Sequence, residues 1–252
     1  MTLEIVALSV VVIISFLLPL VILGVLIKKN RTQWRSIIAC FLCGGIIYAL
    51  MQWGAKEHGL AWLFNNTNFI RLMENQYILY LFVVAFAGAV LMVFAQMIAM
   101  ALLFKRQITM GKVIALSVGY SMVESAFLIG IGSINTIIEL IKETDMQLAT
   151  TANDLFLSGY ERILLLIIEA GILVVLAYFF GRKMYIRGGI VAILCNTLIA
   201  FLPGFFIAFS LPDYYEVFDR SIALVMVHVV LTASAVASVI IGNVLKNMLY
   251  SE

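Results

Sequence analysis

The chain has 252 residues, of which 64% are hydrophobic and only 12% are charged, and its mean hydropathy is +1.11. These values exclude an ordinary soluble globular domain and predict a polytopic membrane protein. The formal net charge is +2, with no feature that favours a nucleic-acid partner. Because there are three prolines and no low-complexity tract, we expect a single transmembrane helical domain over residues 1–252.

Seven apolar segments approach the length of about 20 residues that a helix needs to cross the hydrocarbon core of a bilayer. They cover approximately residues 3–27, 36–54, 77–104, 113–132, 163–180, 188–211 and 221–245. The alternating segments typical of a membrane β-barrel are not visible. The first segment begins MTLEIV, without a basic region or a cleavage site, and so predicts a retained helix. The predicted fold is an all-α membrane helix bundle.

Basic residues are concentrated in alternate connections between these segments. Eleven of the 16 lie after helices one, three and five or in the tail, where the only acid is Glu252. The opposite connections contain most of the acidic residues. By the positive-inside bias, this pattern predicts an N-terminus outside and a C-terminus in the cytoplasm. The basic clusters also predict contact with anionic lipid, so the lipid bilayer is the first expected partner.

The two longer outward connections carry apolar residues of their own. The stretch 59–73, GLAWLFNNTNFIRLM, mixes aromatic and polar side chains as an interfacial segment does. The connection 133–161 contains INTIIELIKET, which predicts a short outward helix, followed by a turn or cap signal at Asn153 and Asp154. Each could serve as a lid or as a plain connection.

The cysteines and the central proline have structural interpretations. Cys40 and Cys43 lie within the second helix and Cys195 within the sixth, where none has the exposure that a redox site needs, so we interpret all three as packing residues. Pro203, followed by Gly204, predicts a kink in helix six.

Ionisable groups inside the membrane are the strongest functional signal. A carboxylate at the centre of a membrane helix costs about 3 kcal/mol on insertion scales, so such residues usually face the bundle interior. Counting 1.5 Å per residue places Glu124 and Glu169 both about 17 Å from the cytoplasmic ends of their helices. The full set of intramembrane polar candidates on helices three to seven is Gln96, Tyr120, Ser121, Glu124, Glu169, Asn196 and His228.

The neighbours of Glu124 predict which way it faces. Ser117, Ser121 and Glu124 share one side of helix four, and Ser125 completes a row of small residues that permits close helix approach. We therefore expect Glu124 to face protein, and to be neutral so that it can donate as well as accept a hydrogen bond.

A conventional catalytic centre is not predicted. The chain has two histidines, no HExxH motif, no GxSxG motif and no lysine within an apolar segment. A zinc site built from Glu124, Glu169 and His228 is conceivable, but their unequal depths argue against it. We expect no metal and no cofactor, and the only catalytic candidates are Glu124 and Glu169.

From helix three onward the chain resembles the YhfC-type family of bacterial proteins that are predicted to be intramembrane metalloproteases. That family carries F-E-E-x-x-R on one helix and G-H-G-G-x-E on the next. It then has E-R followed by a histidine about eight residues on, and a final histidine within A-x-x-x-H. The corresponding stretches here are FAQMIA (94–99), GYSMVE (119–124), ERILLLIIE (161–169) and AILCN (192–196).

The resemblance lies in the framework more than in the chemistry. Tyr120, Glu169 and Asn196 replace the three presumed histidine ligands, and Ala95 and Gln96 replace the paired glutamates. This implies a degenerate member that has kept the bundle and lost the metal site.

Phe94, Gly119, Glu124, Glu161 and Arg162 match the family, and the last three would survive as structural remnants. Glu124 would be a buried acid, and Glu161 with Arg162 would form an interfacial ion pair where a helix begins.

Three functions remain open from the sequence. The first is a non-catalytic, pseudoprotease-like bundle in a bacterial plasma membrane that binds or regulates another membrane protein or peptide, with bacteriocin or peptide resistance as a special case. The second is a transporter or permease-like component that uses buried Glu and His. The third is an intramembrane hydrolase with an unconventional Glu124 and Glu169 site.

Overall fold

The computed structural model describes residues 2–51, 54, 66–104, 108–142, 151–211, 215 and 217–249. It contains seven helices long and apolar enough to cross a membrane, which confirms the predicted helix bundle. We call them spans 1 to 7: Leu3–Lys29, Arg31–Met51, Tyr77–Leu103, Met110–Lys142, Ala152–Gly181, Tyr185–Ala208 and Arg220–Lys246. The helical turns of span 7 continue to Leu249. No strand occurs in the described ranges.

Spans 4 and 5 are longer than the sequence predicts. Span 4 continues past residue 132 to Lys142, so the described part of INTIIELIKET extends span 4 and is not a separate outward helix. Span 5 begins at Ala152, not near residue 163. Its start is fixed by a capping box, in which Thr151 Oγ1 accepts from the Asp154 backbone N–H and Asp154 Oδ2 accepts from the Thr151 backbone N–H, each over 3.3 Å.

The outward stretch 59–73 is described only in its second part. An amphipathic helix, Thr67–Asn75, packs against span 3, where Phe69 contacts Tyr80 with 5.2 Å between ring centroids. Trp62 and Phe64 lie outside the described residues. So do residues 52 and 53 near the predicted end of helix two, although Gly54 itself is described. The interfacial location of this stretch stays a prediction.

The chain divides into two compact units, and its behaviour as one domain stays a prediction. Unit 1 comprises Met1–Tyr48 and Thr109–Ala170, and unit 2 comprises Ala49–Ile108 and Gly171–Glu252. Span 5 contributes to both.

In unit 1, spans 1 and 4 pack antiparallel along their length. The first part of span 1 contacts the last part of span 4, and the last part of span 1 contacts the first part of span 4. Each span has one π-helical turn, Ile13–Leu17 and Ala126–Gly130, and these turns contact each other. A π-turn widens the helix locally, and here the Phe16 ring fits against Gly130, where an added Cβ would lie only 2.6 Å from it.

Spans 2 and 4 of unit 1 approach backbone to backbone. A Cβ added at Gly119 would lie 1.9 Å from the carbonyl oxygen of Phe41, and one added at Gly44 would lie 2.0 Å from that of Leu116. Only glycine fits at such a crossing, as in other tight membrane helix pairs. The crossing brings Tyr48 of span 2 beside Tyr120 of span 4.

In unit 2, span 6 packs against spans 3 and 7. Gly171 of span 5 allows close approach to Ser238 of span 7. Span 6 runs as a continuous helix through Pro203. Of the three free thiols, Cys40 is buried and suits a packing role, whereas Cys43 is partly exposed and Cys195 is exposed in the protein chain, so packing within the chain does not account for Cys195.

Candidate functional site

The carboxyl groups of Glu124 on span 4 and Glu169 on span 5 lie within hydrogen-bonding reach of each other in unit 1. Ser121, on the same face of span 4 as Glu124, donates its hydroxyl to Glu169 Oε2. An ionised carboxylate can only accept hydrogen bonds, so a bond between two carboxyl groups requires a proton on one of them. The two carboxyl groups are thus placed so that they can share a proton, with Ser121 as a further donor to Glu169.

Span 4 presents its polar side chains to this pair because of their helical spacing. Ser117, Ser121 and Glu124 are four and three residues apart and so lie on one face. Ser117 and Ser121 are buried, whereas Glu124 and Glu169 are half-buried. The Ser117 hydroxyl has no hydrogen-bond partner among the described residues. The Ser117 hydroxyl therefore remains available for a further hydrogen bond on the face of span 4 that carries Glu124.

Two tyrosines form an aromatic wall beside the pair. The rings of Tyr48 and Tyr120 meet edge to face, with 5.0 Å between centroids and 86° between planes, and both are buried. Both side chains lie within electrostatic range of Glu124 and Glu169. The wall shields the carboxyl pair on this side, so interactions among its charges are stronger than they would be in water.

Arg162 supplies the positive charge of the site. It precedes Glu169 by seven residues, which places both on one face of span 5 two turns apart, and helical side chains incline toward the N-terminus. Glu169 therefore leans toward Arg162, and the two charges attract. Arg162 also lies within electrostatic range of the Tyr48 side chain. Its Nε is buried and has no hydrogen-bond partner in the described part of the chain.

The ion pair predicted between Glu161 and Arg162 is not among the described contacts and stays a prediction. The predicted location is wrong, however, because span 5 begins at Ala152 and both residues lie in its interior. Adjacent helical residues do not face each other, whereas Arg162 and Glu169 lie on one face of span 5 and interact electrostatically.

The remaining predicted residues belong to unit 2. Asn196 donates its side-chain amide to the Ala192 carbonyl one turn earlier, over 3.0 Å. His228 Nδ1 lies 2.6 Å from the carbonyl oxygen of Leu224 on its own helix. Gln96 is buried, and its Oε1 has no partner among the described residues. Asn196 and His228 are thus each hydrogen-bonded within their own helix. Whether Asn196, His228 or Gln96 contacts the carboxyl pair stays a prediction.

The described residues offer no ready set of metal ligands. No group of three or more His, Cys, Asp or Glu side chains within the described ranges is placed to hold a metal ion. The carboxyl pair contributes two such groups, one fewer than the three protein ligands typical of catalytic zinc.

Sequence reasoning found the two acids, Tyr120 and Ser121, but missed Tyr48. Tyr48 lies in the apolar run IIYAL of span 2, and its only available signal was a polar hydroxyl among aliphatic residues. The glycine pair GG at 44–45 was a further signal, because small residues mark tight helix crossings.

Seven apolar spans, with an ionisable cluster on spans of unit 1, define the class of the chain: a multi-pass membrane protein in contact with a lipid bilayer. No family model matches the chain, and no curated protein or solved structure is detectably similar to it. The resemblance to the YhfC-type family accordingly stays a prediction.

Proposed function

We propose that this multi-pass membrane protein binds and releases protons at the Glu124 and Glu169 pair and acts as a transporter or permease-like component. The observation that carries this proposal is the close approach of the two carboxyl groups, with Ser121 bonded to Glu169, within membrane-spanning helices. Ionisable residues at such positions are costly and commonly serve in proton relays.

The charges of the cluster explain why the pair suits proton exchange. With one shared proton the pair carries one negative charge, which Arg162 balances. Loss of that proton leaves two like charges in contact, and gain of a second leaves Arg162 without a counter-charge. In a shielded site each change alters the electrostatic energy strongly, so protonation can drive a change of conformation.

The first test is infrared difference spectroscopy of the purified protein combined with a proton-flux assay. We expect a carboxylic-acid C=O band that is lost in Glu124→Gln and Glu169→Gln and kept in Glu139→Gln, which alters an exposed acid on span 4. In liposomes filled with a pH-sensitive dye, the wild type should dissipate a pH gradient faster than the two site variants. Equal rates for wild type, site variants and empty liposomes would refute the proposal.

A hydrolase is a second candidate, favoured by the same contact. One neutral carboxyl and one charged carboxylate in contact can serve as acid and base toward a water molecule. The test is cleavage of labelled transmembrane peptides in detergent. Cleavage that is lost in both Glu→Gln variants and insensitive to pH gradients would favour this function over proton transport.

The pseudoprotease-like role is a third candidate, supported by the residues at the three presumed histidine positions. Tyr120 packs against Tyr48, Glu169 bonds Ser121, and Asn196 bonds its own helix, so each serves an internal contact. A non-catalytic bundle that binds a membrane protein or peptide fits these contacts. Cells that express the protein should then resist a membrane-active peptide, and the double Glu→Gln variant should protect equally well.

Location and orientation belong to the same proposal. We propose an N-terminus outside and a C-terminus in the cytoplasm, from the distribution of basic residues, and a bacterial plasma membrane, from the family resemblance. Epitope tags at the two termini test the orientation. A tag at the N-terminus that is accessible only after permeabilisation would overturn it.

A further inference from the structure

We propose that the cluster around the carboxyl pair is a binding site for a small organic monocarboxylate, which occupies Arg162 when the pair takes up its second proton. This inference rests on the proton-binding function proposed above and names the class of substrate that the same site would take.

The first support is the unused hydrogen-bonding capacity of Arg162. Its guanidinium remains charged under all ordinary conditions and carries five N–H donors in a fixed fork. The Nε–H is buried without a partner among the described residues. Burying a charged donor without an acceptor is costly, so the geometry favours an acceptor that arrives from outside the chain.

The second support is the charge balance of the cluster. Among the described residues, the titratable or charged groups that interact electrostatically with the carboxyl pair are Tyr48 from span 2, Tyr120 from span 4 and Arg162 from span 5. When both carboxyl groups are protonated and the tyrosines are neutral, Arg162 is the only charged group of this set. A monovalent anion restores neutrality, whereas a divalent anion would leave a net negative charge.

The third support is the shape and chemistry of the surroundings. A carboxylate has two oxygens in one plane and accepts two parallel N–H bonds from a guanidinium. The edge-to-face rings of Tyr48 and Tyr120 provide an apolar wall for an organic group. Together these features favour an organic acid over a simple halide.

The experiment uses benzoate as the probe and the purified full chain in detergent. We expect benzoate to raise the thermal midpoint in a saturable manner at acidic pH, with little effect at alkaline pH. In weakly buffered solution, addition of benzoate should cause uptake of protons in an amount equal to the benzoate bound. Arg162→Gln should abolish both effects, while Arg220→Gln, which alters an exposed cation at the start of span 7, should retain them.

The outcomes separate this inference from the function on which it rests. Absence of the carboxylic-acid band in the wild type would overturn both. A band that is present, with no benzoate effect at either pH or with an effect that survives in Arg162→Gln, would overturn only the carboxylate site. If chloride raises the thermal midpoint and causes proton uptake as benzoate does, the carboxylate site is also overturned. If Arg162→Gln does not fold, the coupled uptake of protons and benzoate by the wild type decides the question.

Discussion

Replacement of Gly119 by alanine tests the crossing of spans 2 and 4, on which the placement of Tyr120 depends. The new Cβ would lie 1.9 Å from the Phe41 carbonyl oxygen, whereas ordinary van der Waals contact begins near 3.4 Å. The obstacle is backbone, so the spans must separate by more than about 1 Å, which close-packed interiors resist. Overpacking of this kind costs about 1–3 kcal/mol.

The matched control is Gly132→Ala on the same span, because nothing lies within 4 Å of its added Cβ. There alanine should be neutral or should stabilise the helix by up to about 1 kcal/mol. For a chain of this size 1 kcal/mol corresponds to about 2–4 °C, so a difference of about 1–4 kcal/mol should separate the melting temperatures of the two variants by roughly 2–16 °C. The assay is size-exclusion chromatography of the solubilised protein after a heating series. Equal melting of the two variants would refute the tight crossing.

Three further substitutions test other contacts. Gly171→Ala would place a Cβ 2.4 Å from that of Ser238, so it should lower the melting temperature, and adding Ser238→Gly should restore part of the loss. Thr151→Ala should remove the cap of span 5 at a cost of about 1 kcal/mol and speed hydrogen exchange in its first turn, whereas unchanged exchange would contradict the capping role. Ser121→Ala should remove a hydrogen bond to Glu169 and destabilise by about 1–3 kcal/mol in the same heating series, and a change near zero would show that this bond contributes little.

The seven spans could be predicted because hydrophobicity alone determines which segments are able to cross a membrane. The ends of spans 4 and 5 could not, because both helices continue beyond the apolar run into sequence with polar residues. One local signal was available in TAND, where a threonine precedes an aspartate by three residues, as in a capping box. The π-turns have no comparable signal, since they depend on how Phe16 and Gly130 fit together.

The candidate site was predictable in its members and not in its contacts. Equal depth pointed to Glu124 and Glu169, and helical spacing placed Ser121 on the same face as Glu124. The close approach of the carboxyl groups depends on how two spans rotate about their axes, which side-chain packing decides. The pairing of Arg162 with Glu161 came from the family resemblance and stays a prediction. With span 5 beginning at Ala152, the seven-residue spacing to Glu169 becomes the relevant relation.

The double variant Glu124→Gln with Glu169→Gln decides whether the pair is a structural link between spans or a proton site. Glutamine has nearly the same shape as protonated glutamic acid and can donate and accept, so two glutamines can keep the contact between the spans and the bond from Ser121. The melting temperature should therefore stay close to that of the wild type. Glu169→Ala, in contrast, leaves Glu124 and Ser121 without a partner and should cost about 1–3 kcal/mol. A double variant that folds normally but no longer responds to pH would assign the carboxyl groups to proton binding, because only exchange of the proton has been removed. If the double variant melts as early as Glu169→Ala, the pair serves mainly to join spans 4 and 5.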